Sequence, residues 1–490
     1  MAAPDFSFAT ATELSQALSA RTVSAVELAQ ATIDRIERHD GAINAVCVRD
    51  FARGLDAARA ADAALARGET SPLTGIPMTV KESFNVAGLA TTWGFPAQRD
   101  FVAADDALPI ARVKAAGGVI LAKTNVPIAL GDWQSYNDIY GTTNNPFDLS
   151  RTPGGSSGGS SAALAAGYGA LSLGSDIGGS LRVPAHYCGV YAHKPTYALA
   201  ALRGHVPPPF PPLPFHRDLS VIGPMARSAD DLALLLDVIA GPDPIEDGIG
   251  YRLALPGPRH TTFDGFRILV LDSHPSLPTA ANVRAAIETL ATGLTKAGAK
   301  VARESPLLPD LAANARLYMR MLVSFLSASY PPERIAEIRA AADALPADDH
   351  SLAAERIRAA LMTHRQWLMD DAARTYLRAQ WRDLFRAFDA VICPVMPTPA
   401  YPHDQTPDQE LRRIAIDGRD YPYTDQLIWP GVATLPGLPA TALPIAMSDT
   451  GLPIGVQIIG PWLEDRTPLK LASLIERAFG GFVAPPAFKA

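Results

Sequence analysis

Two clusters of glycine and serine stand out in residues 152–190, TPGGSSGGSSAALAAGYGALSLGSDIGGSLRVPAHYCGV. The first runs from Gly154 to Ser161, the second from Gly174 to Ser180. A small-residue helix pattern and an apolar strand pattern lie between them. A phosphate-cradling loop would need G-x-x-x-x-G-K-[ST], and no lysine sits there. A dinucleotide fingerprint would need a third glycine after Gly167-Tyr-Gly169, where Ala170, Leu171 and Ser172 follow. A flexible linker would not be flanked by apolar patterns, nor end in an isolated Asp176 and Arg182. Nucleophilic chemistry fits better. Glycines ahead of Ser180 allow a tight turn that points successive N–H groups into one space. Such a cluster can hold a developing oxyanion. A serine at the end of the loop is then placed to attack a carbonyl.

A serine nucleophile needs a base. The chain has ten histidines but no G-x-S-x-G elbow, and none lies in a Gly/Ser context that would pair it with Ser180. A lysine can serve if it is held neutral, because burial disfavours its charged form. Lys81 in GIPMTVKESFNVAG follows an apolar strand pattern. A snorkelling surface lysine is the commoner meaning of that context. The three cysteines, Cys47, Cys188 and Cys393, are too few and too scattered for a disulfide framework or a cysteine metal cluster. A reducing compartment follows as the simpler reading, and Cys188 in AHYCGV reads as inert core.

The elements that must position these groups alternate. Residues 8–40 read as two amphipathic helices, with Thr12 and Thr22 or Ser24 as starts. Residues 51–67 form an Ala-rich third. From residue 75 onward, short apolar strands at 78–80, 119–122, 170–173, 266–271, 390–393, 440–444 and 454–459 alternate with helices and Gly/Pro turns. This pattern predicts an α/β fold, a mixed or parallel sheet covered by helices. Residues 311–386 are almost continuously helical in pattern and read as an insertion between two parts of one sheet. Gly204–Phe215 is a Pro-rich loop, read as a rigid surface loop or one edge of a cleft.

Composition narrows the function classes. The formal net charge is −7, which argues against a nucleic-acid binder with its basic face. No segment reaches the ~18 apolar residues of a membrane span, and the N-terminus lacks the features of a secretory signal. A cytoplasmic protein is expected. Charged residues make up 19%, below the ~25% of typical soluble domains, which leaves room for a large core. Length alone suggests about three domains.

Residues 75–94 (GIPMTVKESFNVAGLATTWG), 154–163 (GGSSGGSSAA) and 174–184 (GSDIGGSLRVP) together resemble the amidase signature family of serine hydrolases. KPT at 194–196, IGPMARSADDLALLLDVIAG at 222–241 and GLPATALPIAMSDTGLPIGVQIIG at 437–460 extend the resemblance over most of the chain. It is weakest over 245–430. Ser156 lies 75 residues after Lys81, and Ser180 a further 24 on, the spacing the family pattern requires. The resemblance implies one α/β domain over residues 1–490, with a large mixed sheet, helices on both faces and a helical cap. Residues 1–70 would supply N-terminal helices and 75–241 the signature core. Residues 300–425 would form a variable helical and substrate-pocket region, and 430–480 would return to the core sheet.

The resemblance also implies a Ser–cis-Ser–Lys triad. Ser180 maps to the nucleophile, Ser156 to the bridging serine and Lys81 to the base, with a cis peptide between Gly155 and Ser156. Backbone N–H groups of Ile177, Gly178, Gly179 and Ser180 map to the oxyanion hole. Ser157 would support the relay, and Asp176 and Arg182 would scaffold the loop. Leu130, Gly131 and Trp133 match a stretch that lines the family's cleft. Trp367, Trp381, Phe385, Tyr401, Tyr423 and Trp429 favour an apolar or aryl substrate, or else pack as core. The implied activity is hydrolysis of the C–N bond of a small carboxamide through an acyl-enzyme, without metal or organic cofactor. A carbamate or ester hydrolase with the same triad is the alternative. An amide-transferring subunit of a tRNA-dependent amidotransferase fits less well. Those proteins read S-L-D-Q-I-G-P where this chain reads DLSVIGP at 218–224, with Ser220 and Val221 at the Asp and Gln positions. A complete triad argues against a non-catalytic binding protein. A homodimer is compatible with the resemblance.

Overall fold

The computed structural model describes residues 5–489. Its centre is one 11-stranded sheet. In chain order the strands are β1 (Val46–Arg49), β2 (Pro77–Lys81), β3 (Val119–Thr124), β4 (Leu171–Asp176), β5 (Tyr191–Lys194) and β6 (Val221–Ala226). They continue with β7 (Arg267–Val270), β8 (Lys300–Ala302), β9 (Ala390–Pro394), β10 (Ala440–Met447) and β11 (Pro453–Ile459). Across the sheet the order is β1-β3-β2-β4-β6-β5-β10-β11-β9-β7-β8. β3, β2 and β4 run parallel, as do β9, β7 and β8. The strands between these two groups pair antiparallel.

Burial explains the strand sequences. Every residue of β2, β3 and β4 is buried, so both faces of these strands are covered, as in parallel sheets packed by helices. Among their polar residues, Lys81, Ser175 and Asp176 lie at the carboxyl ends. Met78 pairs with Leu171 and Val80 with Leu173. Parallel pairing brings the carboxyl ends of β2 and β4 to one edge of the sheet. Ligands of open α/β sheets bind outside such ends.

The two N-terminal helices form at Ala11–Ser19 and Ala25–Ile43, each closed by a capping box, from Thr10 to Glu13 and from Ser24 to Glu27. The first cap therefore sits at Thr10 rather than Thr12. The Ala-rich helix spans Phe51–Ala66. Four strands of this sheet escape the sequence pattern. Three are short or mixed in polarity, and β6 (VIGPMA) carries Gly223 and Pro224 in its middle, a signal that argues against a central strand. Between β8 and β9 the chain is helical at Leu311–Leu326, Pro332–Asp343, Leu352–Ala359 and His364–Ala387. Trp381, Leu384 and Phe385 of the last helix join the main core. Among the described residues, no helix is long and apolar enough to cross a membrane.

Candidate active site

Lys81 is the last residue of β2, and Ser175 and Asp176 end β4. The chain then turns through Ile177, Gly178, Gly179 and Ser180 into a helix at Arg182–Cys188. A second loop, Gly154–Ser157, leads into the helix Gly158–Ala165. The Gly155–Ser156 peptide is cis. Glycine is needed at 155 because a Cβ there would lie 2.3 Å from the Asp132 carbonyl oxygen. At Gly179 the backbone is left-handed (φ 95°), and a Cβ would meet Val183 at 2.7 Å.

Lys81 is fully buried and is no snorkelling lysine. Its Nζ donates to Ser156 Oγ at 2.6 Å and to Ser175 Oγ at 2.9 Å. Burial pulls its pKa from 10.5 down to about 7, against the opposing pull of Asp176 and Glu82. A large neutral fraction therefore exists at physiological pH. Ser175 escapes the sequence reading, although it lies inside the second Gly/Ser cluster. Ser157 Oγ binds both the N–H and the carbonyl of Ser175 at 3.4 Å, so it supports the lysine pocket from behind. The Ser157 N–H donates to the Ser180 carbonyl at 3.2 Å and joins the two loops. Ser180 Oγ itself has no hydrogen-bond partner among the described residues. The expected hydrogen bond from Ser156 to Ser180 is thus not made; catalytic hydrogen bonds often tighten only in the Michaelis or transition-state complex.

The nucleophile loop is held from several sides. The Asp176 carboxylate accepts from the N–H groups of Gly179 at 2.9 Å and Leu181 at 3.1 Å. It also forms a two-pronged pair with Arg182, at 3.0 and 2.9 Å. Both side chains are fully buried, so this is no solvated surface pair. Burial alone would push Asp176 up, but Arg182 outweighs it and holds the carboxyl below its ordinary range. Arg182 also donates to Gln457 Oε1 at 2.6 Å, Thr434 Oγ1 at 2.8 Å and the Pro430 carbonyl at 3.1 Å.

These contacts distinguish among the expected oxyanion donors. The Gly179 N–H is spent on Asp176, and the carbonyl of the same peptide accepts from Trp133 Nε1 at 2.8 Å. That peptide is pinned at both ends. Among the described residues, the N–H groups of Ile177, Gly178 and Ser180 remain without acceptors. Tyr318 OH donates to the Ile177 carbonyl at 2.6 Å. Because the peptide is planar, this fixes the direction of the Gly178 N–H. Tyr318 lies in the helical insertion, where the sequence carries no signal for it.

Leu130 is half-buried, and Gly131 is exposed, with its carbonyl accepting from Gln409 at 2.8 Å. Trp133 is buried, and its N–H is committed to the loop. Of the six aromatics between residues 367 and 429, four take the core alternative, and Trp367 and Tyr401 are half-buried. Trp381, Phe385, Tyr423 and Trp429 are core residues, each no more than 3% exposed. Tyr423 donates to Asp132 at 2.6 Å, and Arg412 pairs with the same carboxylate at 2.5 Å. This network anchors the segment that carries Trp133. The described residues contain no cluster of three or more His, Cys, Asp or Glu placed to hold a metal.

Comparison with known proteins identifies the family of the chain. The family model described as Amidase matches residues 27–469. A subunit of the glutamyl-tRNA(Gln) amidotransferase of Koribacter versatilis is 32% identical, over 94% of this chain and 96% of that one. A solved structure, described as part of a vestigial protein complex that reveals the evolutionary origins of an s-triazine catabolic enzyme, superposes with a TM-score of 0.81. It is 30% identical, and the match covers 97% of this chain and 99% of the other. A bacterial aryl acylamidase of the amidase signature shares the fold, with a TM-score of 0.79, 23% identity and 96% of each chain covered. The chain belongs to the amidase signature family of enzymes that act on carbon–nitrogen bonds.

Proposed function

We propose that this protein hydrolyses a small carboxamide through a serine acyl-enzyme. The observation that carries this reading is the fully buried Lys81, bonded to Ser156 at 2.6 Å beside the loop that ends in Ser180. In the proposed cycle, neutral Lys81 takes the proton of Ser156, which takes that of Ser180. Ser180 Oγ attacks the amide carbon, and the amide oxygen becomes an oxyanion held by the N–H groups of Ile177, Gly178 and Ser180. The proton returns through Ser156 to the leaving nitrogen, the C–N bond breaks, and water cleaves the acyl-enzyme. A panel of aliphatic amides, anilides, carbamates and esters tests the reading. Wild type is expected to cleave amides and to be labelled by a fluorophosphonate, and Ser180→Ala to do neither. Labelling that persists in Ser180→Ala would overturn the assignment.

Two further outcomes follow. With Lys81 near 7, protonation at lower pH removes the base. The kcat/KM for amides is expected to rise through an apparent pKa near 7 and level off above it. A rate that falls as pH rises from 6 to 8 would exclude Lys81 as base. Tyr318→Phe frees the Ile177–Gly178 peptide without deleting a donor. Deleting a donor costs roughly 10²–10³ in rate, so loosening one is expected to cost about 10-fold in kcat, with KM little changed. An unchanged kcat would show that Tyr318 does not aim the Gly178 N–H.

A second reading is an amide-transferring role, supported by the 32% identity to a glutamyl-tRNA(Gln) amidotransferase chain. Ser220, Val221 and the Pro-rich loop before them weigh against it. Glutamine in the same panel separates the two, since release of ammonia from glutamine in preference to aryl amides would favour the transferase.

A further inference from the structure

Arg217 follows the Pro-rich loop and is partly buried. Among the described residues, its guanidinium makes no ion pair and no hydrogen bond. It lies against three aromatic rings instead. Its central carbon is 5.1 Å from the ring centre of Trp93, 5.7 Å from Phe325 and 5.9 Å from Phe215. Asp218, next in the chain, turns away to Arg374 at 2.6 Å. Burial draws Arg217 down from 12.5 to about 10 with no carboxylate opposing it, so it is still a cation at neutral pH. A partly buried guanidinium with no carboxylate or carbonyl of the described residues on it keeps its donors available to an anionic partner. With rings packed around it, the edge of the guanidinium, which carries its five N–H donors, is what remains for a partner.

The position of Arg217 ties it to the site. Trp93 donates its indole N–H to the carbonyl of Ser83 at 3.0 Å, and Ser83 lies two residues past Lys81. His205 packs on Trp93 with ring centres 5.1 Å apart and bonds Ser83 Oγ at 3.0 Å. Burial first, then the charges of Lys81 and Arg217, hold His205 neutral. Phe325 and Tyr318 share the helix Leu311–Leu326. They are seven residues, or two turns, apart on one face, roughly 10 Å along the axis. Tyr318 grips the loop that leads to Ser180.

We propose that Arg217 is an anion subsite flanking the Lys81–Ser180 site, and that the substrate is an amide bearing a carboxylate. This rests on the amide-hydrolase reading above. One guanidinium edge matches the two oxygens of a carboxylate. A phosphate dianion would call for further cations, and the nearby His205 is neutral.

The test measures binding to Ser180→Ala by calorimetry, so it does not depend on turnover. Two pairs of probes are used. The mono-4-nitroanilide of octanedioic acid is compared with the 4-nitroanilide of octanoic acid, which places the charge in the acyl part. 4-(Octanoylamino)benzoate is compared with octananilide, which places it in the amine part. At least one carboxylate is expected to bind about 30-fold tighter than its neutral twin. Arg217→Gln in the same background is expected to reduce that preference to within about 3-fold, and Arg217→Lys to retain part of it. Equal affinities within both pairs would overturn the proposal. So would a preference that survives Arg217→Gln, or a loss shared equally by the neutral twin, which would mark a structural role. A preference that holds while wild type cleaves none of the four amides would uphold the subsite and reject the amide-hydrolase reading.

Discussion

Lys81→Ala is expected to lower kcat/KM for an amide by roughly 10²–10⁴-fold, the range of a lost general acid–base group. The loss should be unequal between substrates. An amine leaves an acyl carbon only when protonated, so amide cleavage uses the lysine twice, first to take the proton and then to return it. An alkoxide leaves more readily without that proton. A matched ester is therefore expected to lose about 10-fold less than its amide. The structure adds a reason for the large effect. Lys81 Nζ is fully buried and bonded to both Ser156 and Ser175, so its deletion removes a base that the fold holds in place. Parallel kcat/KM measurements on an anilide and the corresponding phenyl ester check the expectation. Equal losses on both would remove Lys81 from the leaving-group step.

Arg182→Met is expected to destabilise the fold by about 3–5 kcal/mol, because it leaves the Asp176 carboxylate charged and unpaired in the interior. The pair is fully buried, and Arg182 further ties Gln457, Thr434 and Pro430 to the loop. Asp176 holds the N–H groups of Gly179 and Leu181 on either side of Ser180. Stability and loop geometry should therefore be lost together. Urea unfolding measures the first, and the rate of fluorophosphonate labelling at Ser180 the second. The pair also has a defined pH response. Asp176 titrates below its ordinary range when folded, so its contribution is complete above the unfolded carboxyl pKa and is lost as pH falls through the lower folded value. A loss under about 1 kcal/mol in Arg182→Met would show that water reaches the pair and screens it.

Local chemistry is legible in the chain. The two Gly/Ser clusters, the apolar run ahead of Lys81 and the helical stretch at 311–386 all depend on short-range properties: backbone freedom, strand burial and helical periodicity. Each survives folding because it is written within a few neighbouring residues. β6 escapes such a reading because Gly223 and Pro224 argue locally against a strand, while pairing with β4 and β5 on either side holds it in one. The aromatics of 367–429 are left between two readings by it for a related reason. A tryptophan has the same letter whether it lines a pocket or fills the core.

By itself, then, the sequence determined the α/β pattern, the groups able to do chemistry and the family resemblance that orders them. Tertiary structure decided which of those groups are available. It buries Lys81 completely and so lowers its pKa. It also commits the Gly179 N–H to Asp176, and brings Trp133 and Tyr318 onto the nucleophile loop from 45 and 141 residues away. Finally, it leaves Arg217 among aromatic rings without a carboxylate. Desolvation and hydrogen-bond partnership depend on what folds against a residue, and those neighbours come from distant parts of the chain.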